Sequence, residues 1–226
     1  ELGYALFQQA RYVEARALLE DALSAQRRTF GEMHVVTIHT MRSLASVLRD
    51  MGDLQRADSL YQAAYRVASA LYGPDHVETD VSEYVLVMQR QRMGNFAAAE
   101  SLAHLGLQRS TVHFGRPRIW EWRLMLGQLL LDRGRLVEAD RYLTESLREI
   151  GELFPGGHQS TGDLLNRLAY IADELKRSNA DSLYQAAAAW RKRRSAGTPD
   201  FLTDGLHFLA CTMLRHGDST AAADLF

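Results

Sequence analysis

The feature that most constrains this chain is a short segment that recurs about every 42 residues. The letters GDLQRADSL begin at Gly52, and related segments begin at Gly94, Gly134 and Gly217. An earlier copy begins at Ala10, where alanine replaces the glycine. A fixed period of this length is typical of arrays in which each repeat is one supersecondary unit that packs on its neighbours.

A second landmark keeps the same period. An aromatic residue followed by glycine, and then by histidine and threonine, runs from Phe30 to Thr37 and again from Tyr72 to Thr79. Weaker copies lie at 114–117 and 154–161. Because two separate landmarks share one period, the sequence predicts a true repeat.

Each repeat reads as two helices joined by a tight turn. Residues 37–51 carry apolar side chains at 41, 44, 45, 48 and 51, which is the spacing of one helical face. Gly52 then supplies the backbone freedom that a turn between two helices needs, and residues 54–71 carry a second apolar face. Neither helix can bury its apolar face alone, so neighbouring repeats must stack. Since no stretch alternates as a strand does, the predicted fold is all-α.

These residues resemble the tetratricopeptide repeat, in the 42-residue version found in kinesin light chains and many bacterial proteins. The matching positions in the clearest copy are Leu44, Ala45, Gly52, Ala57, Tyr61 and Ala64. The resemblance implies a right-handed α-solenoid of stacked antiparallel helix pairs. It also implies one array over residues 1–226, with a partial repeat at 1–30, complete repeats at about 35–72, 77–114, 118–154 and 160–195, and a partial repeat at 199–226.

Two places depart from the pattern. The turn at 175–182 lacks its glycine, which predicts a shortened or irregular helix pair there. Glu83 and Arg90 stand at first-helix positions that are usually apolar. Either that helix is rotated locally, which is the favoured interpretation, or these charges reach a partner.

The charge balance argues against nucleic acid as a partner. The formal net charge of the chain is -2, so there is no overall basic field to hold a phosphate backbone. The basic run at 191–194 closes a predicted helix, where cations suit both the helix dipole and the solvent. No apolar run approaches the roughly 20 residues that a membrane helix needs, so no membrane contact is predicted within this segment.

No motif for catalysis, a cofactor or a metal is found. A phosphate-binding glycine loop and a nucleophile elbow are both missing from the sequence. The histidines at 34, 76 and 158 share one place in the repeat, so they are predicted to build turns. The single cysteine, Cys211, excludes an intrachain disulfide and fits a cytoplasmic location. We therefore expect no enzyme activity, no cofactor and no metal.

In the family that these repeats resemble, the first helices line a concave wall on which ligands lie. Counting back from each turn predicts the wall residues, which are His39, Arg42, Ser43, Ser46, Arg49, Tyr84, Val85, Met88, Gln91, Arg92, Met125, Gln128, Asn166, Arg167 and Tyr170. The arginines suit carboxylates, and the apolar members suit apolar anchors. Some of these side chains could instead pack between neighbouring helices.

The leading functional hypothesis is a scaffold that binds a partner peptide, acidic and with apolar anchors, in the concave groove. The alternative is a regulatory or sensor segment of a larger bacterial signalling protein, such as a serine/threonine kinase or a transcriptional regulator. Both ends of the sequence read as the interior of helices, so end-to-end self-association through Tyr4, Phe7, Leu225 and Phe226 is also expected.

Overall fold

A computed structural model of the chain describes residues 6–7, 9–112 and 118–195. These residues form nine long helices and no strand, and the helices are α1 Tyr12–Phe30, α2 Val35–Asp50, α3 Leu54–Tyr72, α4 Val77–Arg92, α5 Phe96–Val112, α6 Ile119–Asp132, α7 Leu136–Leu153, α8 Ser160–Glu174 and α9 Ala180–Ser195. The all-α prediction is therefore confirmed. The organisation of all 226 residues as one array stays a prediction.

The chain divides into two compact units, an N-terminal unit that ends at Trp122 and a C-terminal unit that begins at Arg123. The division falls inside α6.

The turn between the two helices of a repeat depends on one residue with a positive φ. Gly52 has a φ of 88°, and its N–H donates to the carbonyl of Arg49 at 3.0 Å. The next N–H, of Asp53, donates to the carbonyl of Leu48 at 2.9 Å, so carbonyls at the end of α2 are satisfied. The Asp53 side chain then caps α3 by accepting from the N–H of Arg56 at 3.3 Å.

The connection at 175–182 is irregular, as expected, but the turn is not shortened: five residues separate α8 from α9, whereas three separate α2 from α3. Lys176 adopts a φ of 54° and takes the place that Gly52 has in its own turn. The N–H of Lys176 donates to the carbonyl of Asp173 at 2.8 Å, and the N–H of Arg177 donates to the carbonyl of Ala172 at 2.8 Å. The turn therefore keeps its hydrogen bonds, and a non-glycine residue accepts the left-handed backbone to make them.

The turns between repeats are built by the recurring histidines, as their period predicts. His76 stacks on Tyr72 with ring centroids 4.4 Å apart, and its Nδ1 accepts from the N–H of Glu78 at 3.1 Å, which caps α4. The Thr79 hydroxyl donates to the carbonyl of Gly73 at 2.7 Å. The same stack recurs as Phe30 with His34, and Phe154 meets His158 at the same centroid distance of 4.7 Å with the rings tilted.

The core of the N-terminal unit is mostly apolar. Small residues such as Ala57 and Ala64 are fully buried where helices approach closely, and Met41, Leu44 and Leu48 fill the space around them. α2 therefore buries a continuous apolar face against its neighbours.

The core face of α4 is polar, although its register matches that of α2. The residues 42 positions after Ile38, Met41 and Val47 of α2 are Asp80, Glu83 and Gln89, and all six are buried. The favoured interpretation of a local rotation is therefore wrong, because α4 buries the same positions as α2.

The buried charges of α4 are paired inside the unit, so the second interpretation is also wrong. Glu83 is fully buried and forms an ion pair with Arg109 of α5. Arg90 lies 3.7 Å from Asp58 of α3. A buried charge needs a partner of opposite sign, and neighbouring helices supply one here.

Asp80 contacts two side chains at or just before the start of α6. It accepts a hydrogen bond from Nε1 of Trp122 at 2.8 Å, and its second oxygen lies 2.5 Å from Nε of Arg118. Trp122 is fully buried. The polar face of α4 is thus part of the packing that holds the beginning of α6 in place.

In the C-terminal unit, α6 contacts α7 closely at a glycine. A Cβ atom at Gly127 would lie 2.5 Å from the side chain of Leu143. Arg123 lies 2.8 Å from Glu145 and also pairs with Glu149. Further along, Ala169 of α8 packs on Tyr184 of α9.

The basic run that closes α9 lies partly in solvent, because Lys192 and Arg193 are both exposed. Arg193 lies over the ring of Trp190 at 5.6 Å. Cys211 and three of the residues predicted to drive self-association, Tyr4, Leu225 and Phe226, lie outside the described residues. The fourth, Phe7, is half-buried and packs on the core of the N-terminal unit.

Candidate functional site

The N-terminal unit contains a groove of about 480 Å³ on the side where the first helices lie. Its lining comprises Phe7, Leu19, His39, Arg42, Ser43, Ser46, Tyr61, Val81 and Val85. Five of these residues were predicted from the sequence, and the other four were missed. Val81 stands 42 positions after His39, so a stricter count of the register would have found it.

One side of the groove is polar, and its basic side chains are paired with a carboxylate of the same unit. Arg42 is held by two groups of α4, because its Nη2 lies 3.0 Å from Oε2 of Glu78 and its Nη1 donates to Oγ of Ser82 at 3.3 Å. His39 Nε2 lies 3.1 Å from the same Glu78 oxygen. Glu78 therefore links two cationic or proton-donating side chains of α2 to α4.

The floor of the groove carries a hydroxyl pair. Ser46 and Tyr61 share a hydrogen bond of 2.8 Å between Oγ and the phenol oxygen. Burial raises the pKa of Tyr61, so the phenol stays neutral at physiological pH. Val81 and Val85 of α4 are half-buried and supply the apolar side. An apolar side chain thus fits beside groups that can hydrogen-bond to a peptide backbone.

The predicted wall continues along α4 as one stripe. Val81, Val85, Met88 and Arg92 follow one another at spacings of four, three and four residues, which places them on one helical face. Met88 is exposed to 42%, and Arg92 is also exposed. An exposed methionine beside half-buried valines forms a surface that can adapt to an apolar partner.

Tyr84 lies beside this stripe, and most of its side chain packs inside the N-terminal unit. Its ring meets Trp122 edge-on with centroids 5.3 Å apart. Burial, with a smaller contribution from Glu121, raises the pKa of Tyr84 to about 12. Tyr84 therefore offers a ligand little more than the edge of a neutral ring.

The predicted arginines differ in whether they are already paired. Arg42 pairs with Glu78, and Arg49 donates from Nε to Asp50 at 2.8 Å. Arg92 forms no ion pair with any described residue of the chain, and the same holds for Arg167 in the C-terminal unit. A count of arginines in the sequence therefore overstates the positive charge that the wall presents.

Two predicted wall residues of the C-terminal unit are buried, so their placement on an open surface is wrong. Met125 lies in α6, whose sequence is apolar on nearly every face and buries a wider arc than a single stripe. Asn166 lies in α8, where residues on both sides of it, Leu164 and Leu168, are buried as well. Gln128, Arg167 and Tyr170 keep partial exposure.

A second groove of about 520 Å³ is formed mainly by α1 and α3. Its rim includes the ion pair between Arg56 and Glu20 at 3.0 Å, and both side chains are largely exposed. None of the predicted wall residues lines this groove, and exposed ion pairs of this kind contribute little to recognition. The first groove is therefore the better candidate.

Within the described residues, no three histidine, cysteine, aspartate or glutamate side chains are grouped as a metal site requires. None of the helices described here has both the length and the apolar character of a membrane span.

The family model of the tetratricopeptide repeat matches residues 1–68 and 37–109. Residues 1–109 belong to the tetratricopeptide repeat family. This agrees with the helix pairs, the positive-φ turns and the buried alanines described above. A comparison of the sequence with curated proteins finds no match.

Several solved structures share the fold of most of the chain. The TPR-like repeats of a Podosopora anserina kinesin light chain align with a TM-score of 0.72 at 19% identity, covering 86% of this chain and 93% of that one. BtubC (BKLC) from P. vanneervenii aligns with a TM-score of 0.75 at 18% identity, covering 96% and 87%. The Rap conjugation gene regulator of plasmid pLS20, solved in complex with the Phr* peptide, aligns with a TM-score of 0.72 at 14% identity, covering 98% and 59%. At these identities the likeness is one of fold.

Proposed function

We propose that this chain is a non-catalytic interaction module that binds a peptide segment of another protein in the groove of the N-terminal unit. The observation that carries the proposal is the groove itself, an open depression that has an apolar side and polar side chains at the positions that the repeat register assigns to the inner wall. A Rap regulator of the same fold is solved with a peptide, which supports a peptide as the ligand class.

The preferred ligand carries an apolar side chain and a carboxylate. The apolar side chain lies beside Val81 and Val85, and the carboxylate pairs with Arg92, the cation of this stripe that has no carboxylate of its own among the described residues. Since a helix rises about 1.5 Å per residue, Arg92 lies about 10 Å beyond Val85 along α4. An extended peptide covers that distance in about three residues, which sets the spacing between its anchor and its acidic residue.

The test begins with a displayed library of random peptides selected on the wild-type chain. The affinity of an enriched peptide is then measured by fluorescence anisotropy for the wild type, for Ser43→Trp, which fills the groove, and for Gln62→Trp, which adds the same bulk at an exposed position of α3. We expect Ser43→Trp to weaken binding at least about tenfold and Gln62→Trp to leave it unchanged.

Arg92→Gln supplies the second arm of the test. It is expected to weaken an acidic peptide about threefold to tenfold and to leave the matched peptide with asparagine in place of aspartate unaffected. The proposal fails if selection yields no peptide with saturable binding, or if Ser43→Trp binds as well as Gln62→Trp.

The likeness to a conjugation gene regulator favours one further version of this function, in which the peptide signal controls an attached domain. Both versions share the binding step. The coding sequence on either side of this chain separates them, because the regulatory version requires a kinase or DNA-binding domain there. End-to-end association also stays a prediction, and light scattering that shows a strict monomer at high concentration would remove it.

A further inference from the structure

The groove holds two side chains that should attract acids, yet a carboxylate of the chain already occupies both. Oε2 of Glu78 lies 3.0 Å from Arg42 and 3.1 Å from His39. Both of those residues line the groove. A ligand carboxylate that approached this end would find the charge of Arg42 already balanced by Glu78. It would also be repelled by the Glu78 carboxylate.

The backbone of Glu78 is fixed at the start of α4, and its side chain is held by Arg42 and His39. It is the second residue of α4, its N–H donates to Nδ1 of His76 at 3.1 Å, and its carbonyl accepts from the Ser82 hydroxyl at 2.7 Å. A carboxylate in the first turn of a helix is favoured by the helix dipole. The side chains of Arg42 and Glu78 are only 17% and 23% exposed, so solvent screens this pair less than it screens a surface pair.

We propose that Glu78 sets the charge selectivity of the groove by excluding acidic side chains from the end formed by His39 and Arg42. This inference rests on the proposed function and adds to it a division of the wall into two ends. The end at Arg92 accepts a carboxylate, whereas the end at Glu78 accepts uncharged side chains and peptide backbone. A peptide ligand therefore binds in one orientation along the groove, because the reverse orientation would place its carboxylate against Glu78.

The same geometry shows what removal of the charge would do. Glu78→Gln keeps the length of the side chain and its ability to hydrogen-bond, and Arg42 keeps its bond to Ser82. The guanidinium would then face the groove without a carboxylate partner. A buried or half-buried cation in that state gains from an external carboxylate.

The experiment selects random displayed peptides in parallel on the wild type, on Glu78→Gln and on the double variant Arg42→Gln with Glu78→Gln. Circular dichroism and thermal melting establish that the three proteins are folded. Peptides from Glu78→Gln are expected to contain more aspartate and glutamate than those from the wild type. The double variant is expected to return to the wild-type level, because the released cation is gone.

A peptide enriched on Glu78→Gln is then compared with its aspartate-to-asparagine version by anisotropy. The acidic version should bind Glu78→Gln about threefold to tenfold more tightly than it binds the wild type, and the neutral version should bind both equally. Equal acid content in the wild-type and Glu78→Gln pools, or an equal change for both peptides, would overturn the role of Glu78 while leaving peptide binding intact. Failure of every pool to yield a binder would overturn the proposed function, and this inference with it.

Discussion

Adding one methyl group at Gly106 is expected to destabilise the N-terminal unit. Gly106 lies in α5 at the position where the preceding repeat has the buried Ala64. A Cβ atom there would lie 2.5 to 2.6 Å from three ring atoms of Trp122. The ring cannot easily move, because it is fully buried, donates to Asp80 at 2.8 Å and packs against Tyr84.

Two opposing effects decide the magnitude for Gly106→Ala. Overpacking in a close-packed core costs about 1–3 kcal/mol. Replacing a helical glycine by alanine returns about 1 kcal/mol through helix propensity. Since the methyl group meets a rigid ring, the overpacking cost lies toward the upper end, and the net loss is about 1–2 kcal/mol. For a chain of this length that lowers the melting temperature by about 2–8 °C.

The measurement is thermal and urea unfolding followed by circular dichroism at 222 nm, with Gly151→Ala as the matched control. Gly151 also lies in a helix, α7, but an added Cβ there meets nothing within 4 Å. Gly151→Ala should therefore raise the stability by up to about 1 kcal/mol. Combining Gly106→Ala with Trp122→Leu should cost less than the sum of the two single changes, since the clash is removed. If Gly106→Ala stabilises the chain as Gly151→Ala does, the assigned packing of Trp122 is wrong.

Two further changes test the turns. His76→Ala removes the cap of α4 and the stack on Tyr72, so it should lower the free energy of unfolding by about 1 kcal/mol in a melting experiment. His76→Asn should recover part of that loss because asparagine is a good N-cap. Equal losses for the two variants would contradict the capping role. Lys176→Gly removes the strain of a side chain on a left-handed backbone and should stabilise the C-terminal unit by about 0.5–1 kcal/mol. Ser178→Gly in the same turn should give no gain. If Lys176→Gly lowers the stability instead, the turn is not strained at Lys176.

The helices and turns could be predicted from the sequence because their causes are local. The glycine of each turn, the aromatic residue and the histidine cap all act on groups within a few residues of themselves. The period then places each landmark at a helix end. Lys176 is the exception, because a search for glycine does not find its turn. The backbone hydrogen bonds define this kind of turn, and glycine is only the residue that makes them with the least strain.

The polar face of α4 could not be predicted, because its partners are distant in sequence. Glu83 pairs with Arg109, and Asp80 with Trp122, which are 26 and 42 residues away. A buried carboxylate is tolerable only beside such partners, so its place in the core depends on tertiary structure. From the sequence alone, Glu83 and Arg90 of this helix indicated either a local rotation or a surface for a partner.

The position of the candidate site could be predicted from the sequence, but the charge that its side chains present to a ligand could not. The register placed His39, Arg42, Ser43, Ser46 and Val85 at one groove, since equivalent positions of successive first helices lie side by side in a stack. It could not show that Glu78 pairs with two of those residues, because Glu78 comes from the next repeat and lies in the first turn of its helix.

This contrast suggests how a repeat array acquires specificity. Positions that stay alike in successive repeats satisfy shared packing and turn geometry, as Ala57, Ala99 and Ala139 do in the core and Gly52, Gly94 and Gly134 do in the turns. The inner-wall position changes its chemistry from one repeat to the next, through Arg42, Tyr84, Leu124 and Asn166. The neighbouring repeat alters two of those side chains, because it pairs Arg42 with Glu78 and packs Trp122 against Tyr84. Under the proposed function, recognition therefore belongs to pairs of adjacent repeats, and a change on the second helix pair, such as Glu78→Gln, is expected to alter what the first one binds.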